Sequence, residues 1–473
     1  MSALARWFKA RGHQVGGYDK TPTPLTEALG REGIEVTFDE SVAALPGWVT
    51  ADPAQTLVVR TPAVPAGHPQ WVYFQTNGYV IRKRSEVLGL LTRGTNLIAV
   101  AGTHGKTTTS SMIAHLLYSA GLSIGAFLGG ISVNLGSNLL LPSGEGKKDA
   151  GAGGQAALQP ATASGESSAA EWTVVEADEY DRSFLTLYPT VAVVTSTDAD
   201  HLDIYGEKSA LVDSFRDFIA QIQPGGLLLL NHTADERVLE RIHPGVQVIR
   251  YGLETSGIER SRPHAIAHSL RVEGRAFTFD LVSTLGAVRG LTLRVPGYHN
   301  VENMVAAVTV ARHVGLGEED VAGAVKSYAG VKRRFEFIHE DGRRVYVDDY
   351  AHHPREIEAF LSSLRALYPG RRLTVIFQPH LFSRTRDFAA GFSRALSLAD
   401  EVILLPIYPA RELPIPGITS DMLLEGITSP VKRLVPKEDL LAHIQDISDL
   451  EVLATVGAGD IDTLVEPLRR WLG

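Results

Sequence analysis

The chain has 473 residues, 44% hydrophobic and 21% charged, with a net charge of −9 and no cysteine. That length exceeds one ordinary core and predicts two or three domains of a water-soluble globular protein. Both signs of charge are spread along the chain with no basic block, which argues against a nucleic-acid partner. The missing cysteines exclude disulfides, Cys-ligated zinc and a Cys nucleophile, and agree with a reducing cytoplasm. No apolar run reaches the roughly 18 residues that a membrane span needs, and no apolar signal region opens the chain.

The first block, residues 1–92, reads as short elements joined by Pro/Gly turns. A helix is predicted over residues 2–11 with Gly12 after it, and strands over 15–19 and 56–59.

The second block, 93–330, opens on an apolar run over 97–101 that reads as a buried strand. Gly102, Thr103, His104, Gly105, Lys106, Thr107 and Thr108 follow, then a helix-period segment through Met112, Ile113, Leu116 and Leu117, closed by Gly121. Strand, glycine loop, Lys-Thr and helix make a phosphate cradle. Glycines let backbone N–H groups approach phosphate oxygens, and the helix N-terminus adds positive potential. Lys106 is expected on the β/γ-phosphates and the Thr107 hydroxyl on Mg²⁺. Val100 stands where the common pattern has a further glycine.

Residues 143–170 are rich in Gly, Ala and Ser with almost no large apolar side chain. They are expected to form a flexible surface insertion. Further buried strands are predicted over 173–175, 191–194 and 227–230, implying a largely parallel sheet covered on both faces. Acidic clusters follow two of them: Glu176, Asp178 and Glu179 after the first, and Asp198, Asp200, His201 and Asp203 after the second. Each alone reads equally as a solvated turn. Beside a phosphate loop they suit a hard cation, and Thr107, Glu176 and His201 are the expected ligands. Asn300 and Asn303 precede an Ala/Val-rich helix over 304–311, where they would cap it or read an adenine edge.

The third block, 331–473, carries predicted strands over 344–347, 373–377, 401–405 and 451–456, separated by helical patterns such as 354–367. This is again a doubly wound α/β pattern. Three polar clusters punctuate it: Arg333, Arg334 and Glu336; Asp348, Asp349, Tyr350, His352 and His353; and His380, Arg384, Arg386 and Asp387. The last two clusters follow successive strands, the ligand-binding edge of an open sheet, and paired arginines suit carboxylates and phosphates.

Taken in order, Gly-Thr-His-Gly-Lys-Thr-Thr, Glu-Ala-Asp-Glu, Asp-Ala-Asp-His, His-Asn-x-x-Asn, Lys-Arg-Arg-Phe-Glu, Asp-Asp-Tyr-Ala-His-His-Pro and Arg-Thr-Arg-Asp resemble the Mur ligases, ATP-dependent amide ligases of peptidoglycan synthesis. The resemblance covers nearly the whole chain. Residues 377–386, 408–417 and 201–205 point to the branch that adds L-alanine to UDP-N-acetylmuramate. The muropeptide-recycling branch that attaches a tripeptide is the alternative, and a ligase-like nucleotide-binding protein with an impaired UDP-sugar site is another.

The resemblance implies a three-domain α/β protein. It would have a Rossmann-like UDP-binding domain (1–92), a central P-loop ATPase-like domain (93–330) and a Rossmann-like amino-acid domain (331–473). It implies Lys106, His201 and Arg334 as catalytic residues, with Asn300 and Asn303 on adenine, Asp349 on the ribose and Arg334 on the γ-phosphate. Asp19, Tyr350, His352, His353, His380, Arg384 and Arg386 would line the substrate sites. ATP and alanine would contact different domains, so closure would assemble the site. A cytoplasmic enzyme, monomer or homodimer, with no membrane or nucleic-acid partner, is expected.

Two departures stand out. The carbamylated lysine that several Mur ligases carry is missing from Asp213, Ser214, Phe215 and Arg216, as expected for an alanine-adding enzyme. Family members also carry a strand and a Gly-Ile-Gly-Gly-x-Gly loop ahead of the stretch matching Met1, Ser2, Ala3, Leu4 and Ala5. The expectation is an internal methionine taken as the start, with UDP-sugar binding weakened without that loop.

The composition of residues 143–170 yields a first prediction. Replacing them by a short Gly/Ser linker should leave thermal stability and ligation nearly unchanged, because surface loop length costs little. A thermal melt and a turnover assay check it; a large drop in either would show that the segment packs or gates.

Overall fold

The computed structural model describes residues 1–142, 171–198, 208–259, 264–410 and 412–473. The predicted insertion at 143–170 and His201 lie outside the described residues. The architecture is α/β throughout, and the chain divides into two compact units. The first comprises Met1–His268 with Leu281–Val288 and Asn303–Ala324; the second comprises Ser269–Asp280, Arg289–Glu302 and Val325–Gly473.

In the first unit the opening residues fold much as their pattern predicts. The helix Ser2–Ala10 ends before Gly12, whose φ of 82° suits a residue without Cβ. Two separate parallel strand pairs follow, Gly16–Tyr18 with Glu35–Thr37 and Leu57–Arg60 with Val80–Lys83. This block packs on the rest of its unit. The Asn138 side-chain amide donates to the Ser2 hydroxyl at 2.9 Å, and Arg6 donates to the Asn138 oxygen at 2.9 Å.

The large sheet has ten strands. At its centre Asn96–Ala101 lies parallel between Trp172–Glu176 and Val191–Val194. Leu227–Asn231 and Gln247–Leu253 extend it on one side, and Ile124–Ser132 with its antiparallel partner Ser137–Leu140 on the other. Burial in the central strands is continuous rather than alternating. Residues 97–101 and 191–194 are all buried, as strands covered on both faces require. The sequence reading missed the two hairpins of His264–Glu273, Ala276–Ser283 and Gly286–Leu293. Their polar, alternating pattern belongs to a half-exposed sheet rather than to the buried runs that mark the centre.

The second unit contains a six-stranded sheet. Glu336–Glu340 runs antiparallel to Val345–Asp349, and Val452–Val456, Leu373–Phe377, Glu401–Leu404 and Val431–Leu434 continue it in parallel. The period-2 pleat divides its side chains between two cores. Val345, Val347, Val375, Phe377, Ala454 and Val456 pack with Ile357, Phe360 and Leu364 of the helix Pro354–Leu367. Tyr346, Ile376, Ile403 and Leu453 pack on the other face with Ile444, Leu468 and Leu472.

Phe184 tests the core of the first unit, where it packs with Leu187, Leu211, Phe215 and Phe218 beside the central strands of the large sheet. It is fully buried, stacked on Phe218 at 4.8 Å between ring centroids and edge-on to Phe215 at 5.3 Å. Phe184→Ala should lower unfolding stability by about 3–5 kcal/mol, the cost of an aromatic-sized cavity. Chemical denaturation monitored by circular dichroism measures it, and a loss below about 1 kcal/mol would mean that the core refills the space.

Candidate active site

Three loops converge at the C-terminal ends of the adjacent parallel strands Asn96–Ala101, Trp172–Glu176 and Val191–Val194, where open α/β sheets bind ligands. The first is the glycine loop. Gly102 has φ 135° and packs so tightly that a Cβ there would lie 2.1 Å from the Thr195 hydroxyl. Gly105, at φ 79°, is the left-handed residue that launches the helix Lys106–Ser119. The first-turn N–H groups of that helix have no intrahelical acceptor, which leaves them for an anion.

The third loop holds the first in shape. Ser196 Oγ accepts the His104 N–H at 3.1 Å and is bonded to the Thr103 hydroxyl, while the Asp198 N–H donates to Thr103 Oγ1 at 3.2 Å. The Thr195 hydroxyl donates to the carbonyls of Ala101 and His104.

Lys106 is the charged centre. Its Nζ donates to the Gly102 carbonyl at 2.7 Å and pairs with the wholly buried Glu179 at 2.8 Å. Burial alone would push the ammonium toward neutrality, but the Glu179, Asp178 and Glu176 carboxylates outweigh it and hold the pKa above the ordinary lysine value. Sequence reasoning chose Glu176 from the acidic cluster and missed Glu179 as the partner. The Glu176 carboxylate accepts the Gly129 N–H at 3.1 Å. A Thr107 hydroxyl and a Glu176 carboxylate are the oxygen donors a hard cation takes, so the donor chemistry fits Mg²⁺. Among the described residues no group of three His, Asp or Glu side chains gathers in metal-holding geometry.

Asn300 and Asn303 sit within the helix Tyr298–Val314, not ahead of it as expected. The helix starts earlier because Pro296 and Gly297, the latter at φ 113°, break the chain there. Asn300 Nδ2 donates to the Pro296 carbonyl at 2.6 Å. The Asn303 amide oxygen lies 2.9 Å from the position a Gly105 Cβ would occupy.

In the second unit a polar cluster gathers at the C-terminal ends of Val345–Asp349, Val452–Val456 and Leu373–Phe377. Asp349, expected after its strand, is the strand's last residue. Its two oxygens accept the N–H groups of Phe335 and Ala351, each at 2.7 Å. Burial nevertheless raises its pKa to about 6, against the opposing pull of Arg334. Tyr350 meets the guanidinium of Arg334 at 5.2 Å and the ring of His352 edge-on at 5.5 Å. His352 lies 6.3 Å from His380, which stacks on Tyr408. Glu356, which sequence reasoning missed, accepts the N–H groups of His352 and His353 at 3.0 and 3.3 Å. It is the third residue of the helix Pro354–Leu367, so the capping-box spacing from His353 carried its signal.

The remaining expected residues are less central. His353 serves as helix cap, accepting the Arg355 N–H at 3.3 Å. Arg384 is close enough to His352 to oppose its protonation. Arg386 is not brought to the cluster: its guanidinium, half exposed, donates to Asp387 at 2.7 Å. Two residues of spacing on a short helix turn it away from Arg384. Asp19 is exposed and caps its own turn through the Thr21 N–H at 3.2 Å.

Three family models match the chain: "Mur ligase family, catalytic domain" over residues 1–95, "Mur ligase middle domain" over 100–311 and "Mur ligase, glutamate ligase domain" over 333–460. A UDP-N-acetylmuramate–L-alanine ligase of Cytophaga hutchinsonii is 43% identical, covering 99% of this chain and 94% of its own length. One from Flavobacterium johnsoniae is 44% identical over 100% and 95%. Among solved structures, the UDP-N-acetylmuramate-alanine ligase of Thermotoga maritima is similar with a TM-score of 0.78 at 25% identity, covering 100% of this chain and 96% of that one.

Burial sets the charge state of two histidines in this cluster. It pushes His352 and His299 down to about 4, against the Glu356 and Glu302 carboxylates that favour the cation. At pH 5.5 an ordinary imidazole is about nine-tenths protonated. His352 and His299 should instead remain neutral there, as read by NMR of labelled imidazoles. Their depressed values also mean that unfolding takes up protons between about pH 6.5 and 4, so each contributes stability that is lost as pH falls through that window. Ordinary titration near pH 6.5 would overturn this account.

Proposed function

We infer the reaction from one premise: the chain belongs to the Mur ligase family. It joins L-alanine to the lactyl carboxylate of UDP-N-acetylmuramate at the expense of ATP. The observation that carries this reading is full-length similarity at 43–44% identity to proteins of that name. We propose three domains, 1–92, 93–330 and 331–473, a cytoplasmic location and a monomer or homodimer. The family matches at 1–95, 100–311 and 333–460 support those boundaries. Among the described residues no helix is long and apolar enough to cross a membrane.

A carboxylate does not react with an amine at neutral pH, because its leaving group is poor. Transfer of the ATP γ-phosphoryl group to the lactyl carboxylate breaks the β–γ bridge, forms an acyl phosphate and releases ADP. The alanine amine then attacks the acyl carbon, loses a proton and expels phosphate. The protein's task is to offset phosphate charge and align substrates.

In this reading Lys106 neutralises the β/γ-phosphates. The residues Gly102, Thr103, His104, Gly105, Thr107 and Thr108 cradle them. Thr107 and Glu176, with His201 outside the described residues, would hold Mg²⁺, which when bound neutralises phosphate charge. Asn300 and Asn303 serve the adenine and Asp349 the ribose. Arg334 offsets γ-phosphate charge. Tyr350, His352, His380 and Arg384 receive the amino acid. With His352 neutral, the guanidinium of Arg384 is the group suited to the alanine carboxylate.

Phosphate release should require both UDP-N-acetylmuramate and L-alanine. Release that instead requires a tripeptide would favour the recycling reaction. Lys106→Ala should lower turnover by about a hundredfold or more, as removal of a preorganised charge stabiliser does. Near-normal ligation by a folded Lys106→Ala protein would sink the phosphate-loop assignment.

A further inference from the structure

Two adjacent arginines, Arg333 and Arg334, stand at the start of the second unit's sheet with opposite fates. Arg334 pairs with no carboxylate among the described residues and lies over the Tyr350 ring at 5.2 Å. Arg333 is saturated. Its Nε donates to Asp348 Oδ2 at 3.1 Å, and its terminal nitrogens reach the Gly457 carbonyl at 2.7 Å and Asp462 at 3.7 Å. Asp348 is 1% exposed, and its other oxygen accepts the Thr455 hydroxyl at 2.6 Å. Thr455 is in turn bonded to the Tyr346 hydroxyl at 3.0 Å. A guanidinium is thus anchored to a carboxylate fixed by the neighbouring strand.

The backbone explains what the anchor is for. Arg333 and Phe335 both have left-handed φ values, 60° and 50°, which are unfavourable for residues with a Cβ. Such a kink persists only when its surroundings over-determine it. Here the Arg333 N–H donates to Glu336 at 2.7 Å and its carbonyl accepts the Tyr350 N–H at 2.7 Å. The Arg334 N–H closes on the Val331 carbonyl at 3.1 Å, and the Phe335 N–H donates to Asp349 at 2.7 Å. Arg334 sits between the two kinked residues, so its direction is set by them.

We propose that Arg333 is a positioning residue: by clamping Asp348 and the Gly457 carbonyl it holds the double kink that aims Arg334. The inference rests on the reading of Arg334 as the γ-phosphate cation given above. Loss of the clamp lets residues 332–335 relax to ordinary backbone conformations and swings Arg334 away, a misplacement that costs rate rather than substrate binding.

A double-mutant cycle separates this from plain destabilisation. Arg334→Ala should lower kcat about a hundredfold. Arg333→Ala should lower kcat about tenfold or more with the KM for L-alanine unchanged. The double variant should be no slower than Arg334→Ala, because Arg333 acts through Arg334. Multiplied losses in the double variant, or wild-type kcat in folded Arg333→Ala, would overturn the proposal. Should Arg333→Ala fail to fold, the isosteric Asp348→Asn replaces it, with the same expected kcat loss and the same silence in the Arg334→Ala background. Wild-type kcat in Arg334→Ala would overturn the functional reading of Arg334 itself, an outcome distinct from failure of the clamp, and the clamp would fall with it.

Discussion

A lysine ammonium placed under the end of a parallel sheet must be answered by an anion, and at Lys106 that anion is Glu179. The pair is buried, and a lone charge of either sign in that place would be strongly unfavourable. Everything around the glycine loop follows from keeping this charge where an anionic ligand can reach it. Gly102 permits the close approach of the loop carrying Thr195 and Ser196. Those two residues tie down Thr103 and His104. Gly105 turns the chain so that Lys106 opens the helix. The Lys106 head is shared between Glu179 and the Gly102 carbonyl, both negative, so any anion that reached it would compete with a carboxylate and a dipole rather than with bulk water.

The second unit solves a related problem with different means. Its cluster contains Asp349, His352 and His299, all taken out of water and all shifted toward their neutral forms. Burial is the first cause in each case. A site built from groups that resist ionisation keeps few fixed positive charges, and those that remain are the guanidiniums of Arg334 and Arg384. That division makes geometry the deciding quantity: the direction of a guanidinium, not the count of charges, determines what anion it can meet.

The sequence made the regular and the glycine-marked parts of this structure legible. The helix Pro354–Leu367 and the strands Val191–Val194 and Leu373–Phe377 coincide with their predicted bounds, because proline at a helix start and unbroken apolar runs are local signals. The glycine loop that joins Asn96–Ala101 to the helix Lys106–Ser119 was readable for the same reason. The two hairpins between residues 264 and 293 were not, since a half-exposed strand lacks the apolar run. Within the sites, local signals named the neighbourhoods but not the pairings. Glu176, Asp178 and Glu179 compete for Lys106 in the chain, and only the fold selects Glu179 as its partner. Arg384 and Arg386 look equivalent in the chain, yet a six-residue helix separates their directions and leaves one bonded to Asp387.

The same lesson applies with more force to Arg333 and Arg334. As neighbours of one type they invite a joint assignment to phosphate, and a doubled positive charge would serve that end. Distances argue otherwise. A guanidinium that donates to Asp348 and to the Gly457 carbonyl has its fork occupied in fixed directions. To meet a phosphate it would have to abandon Asp348, leaving a carboxylate that is 1% exposed without its cation. Arg334 bears a smaller cost, because the buried Asp349 on which its charge acts keeps the N–H groups of Phe335 and Ala351. Its guanidinium rests over the face of Tyr350, an attraction weak enough to yield to an anion. One arginine therefore stabilises the backbone that presents the other, and on the proposed reading the anion that the pair suggests in sequence is left to Arg334 alone.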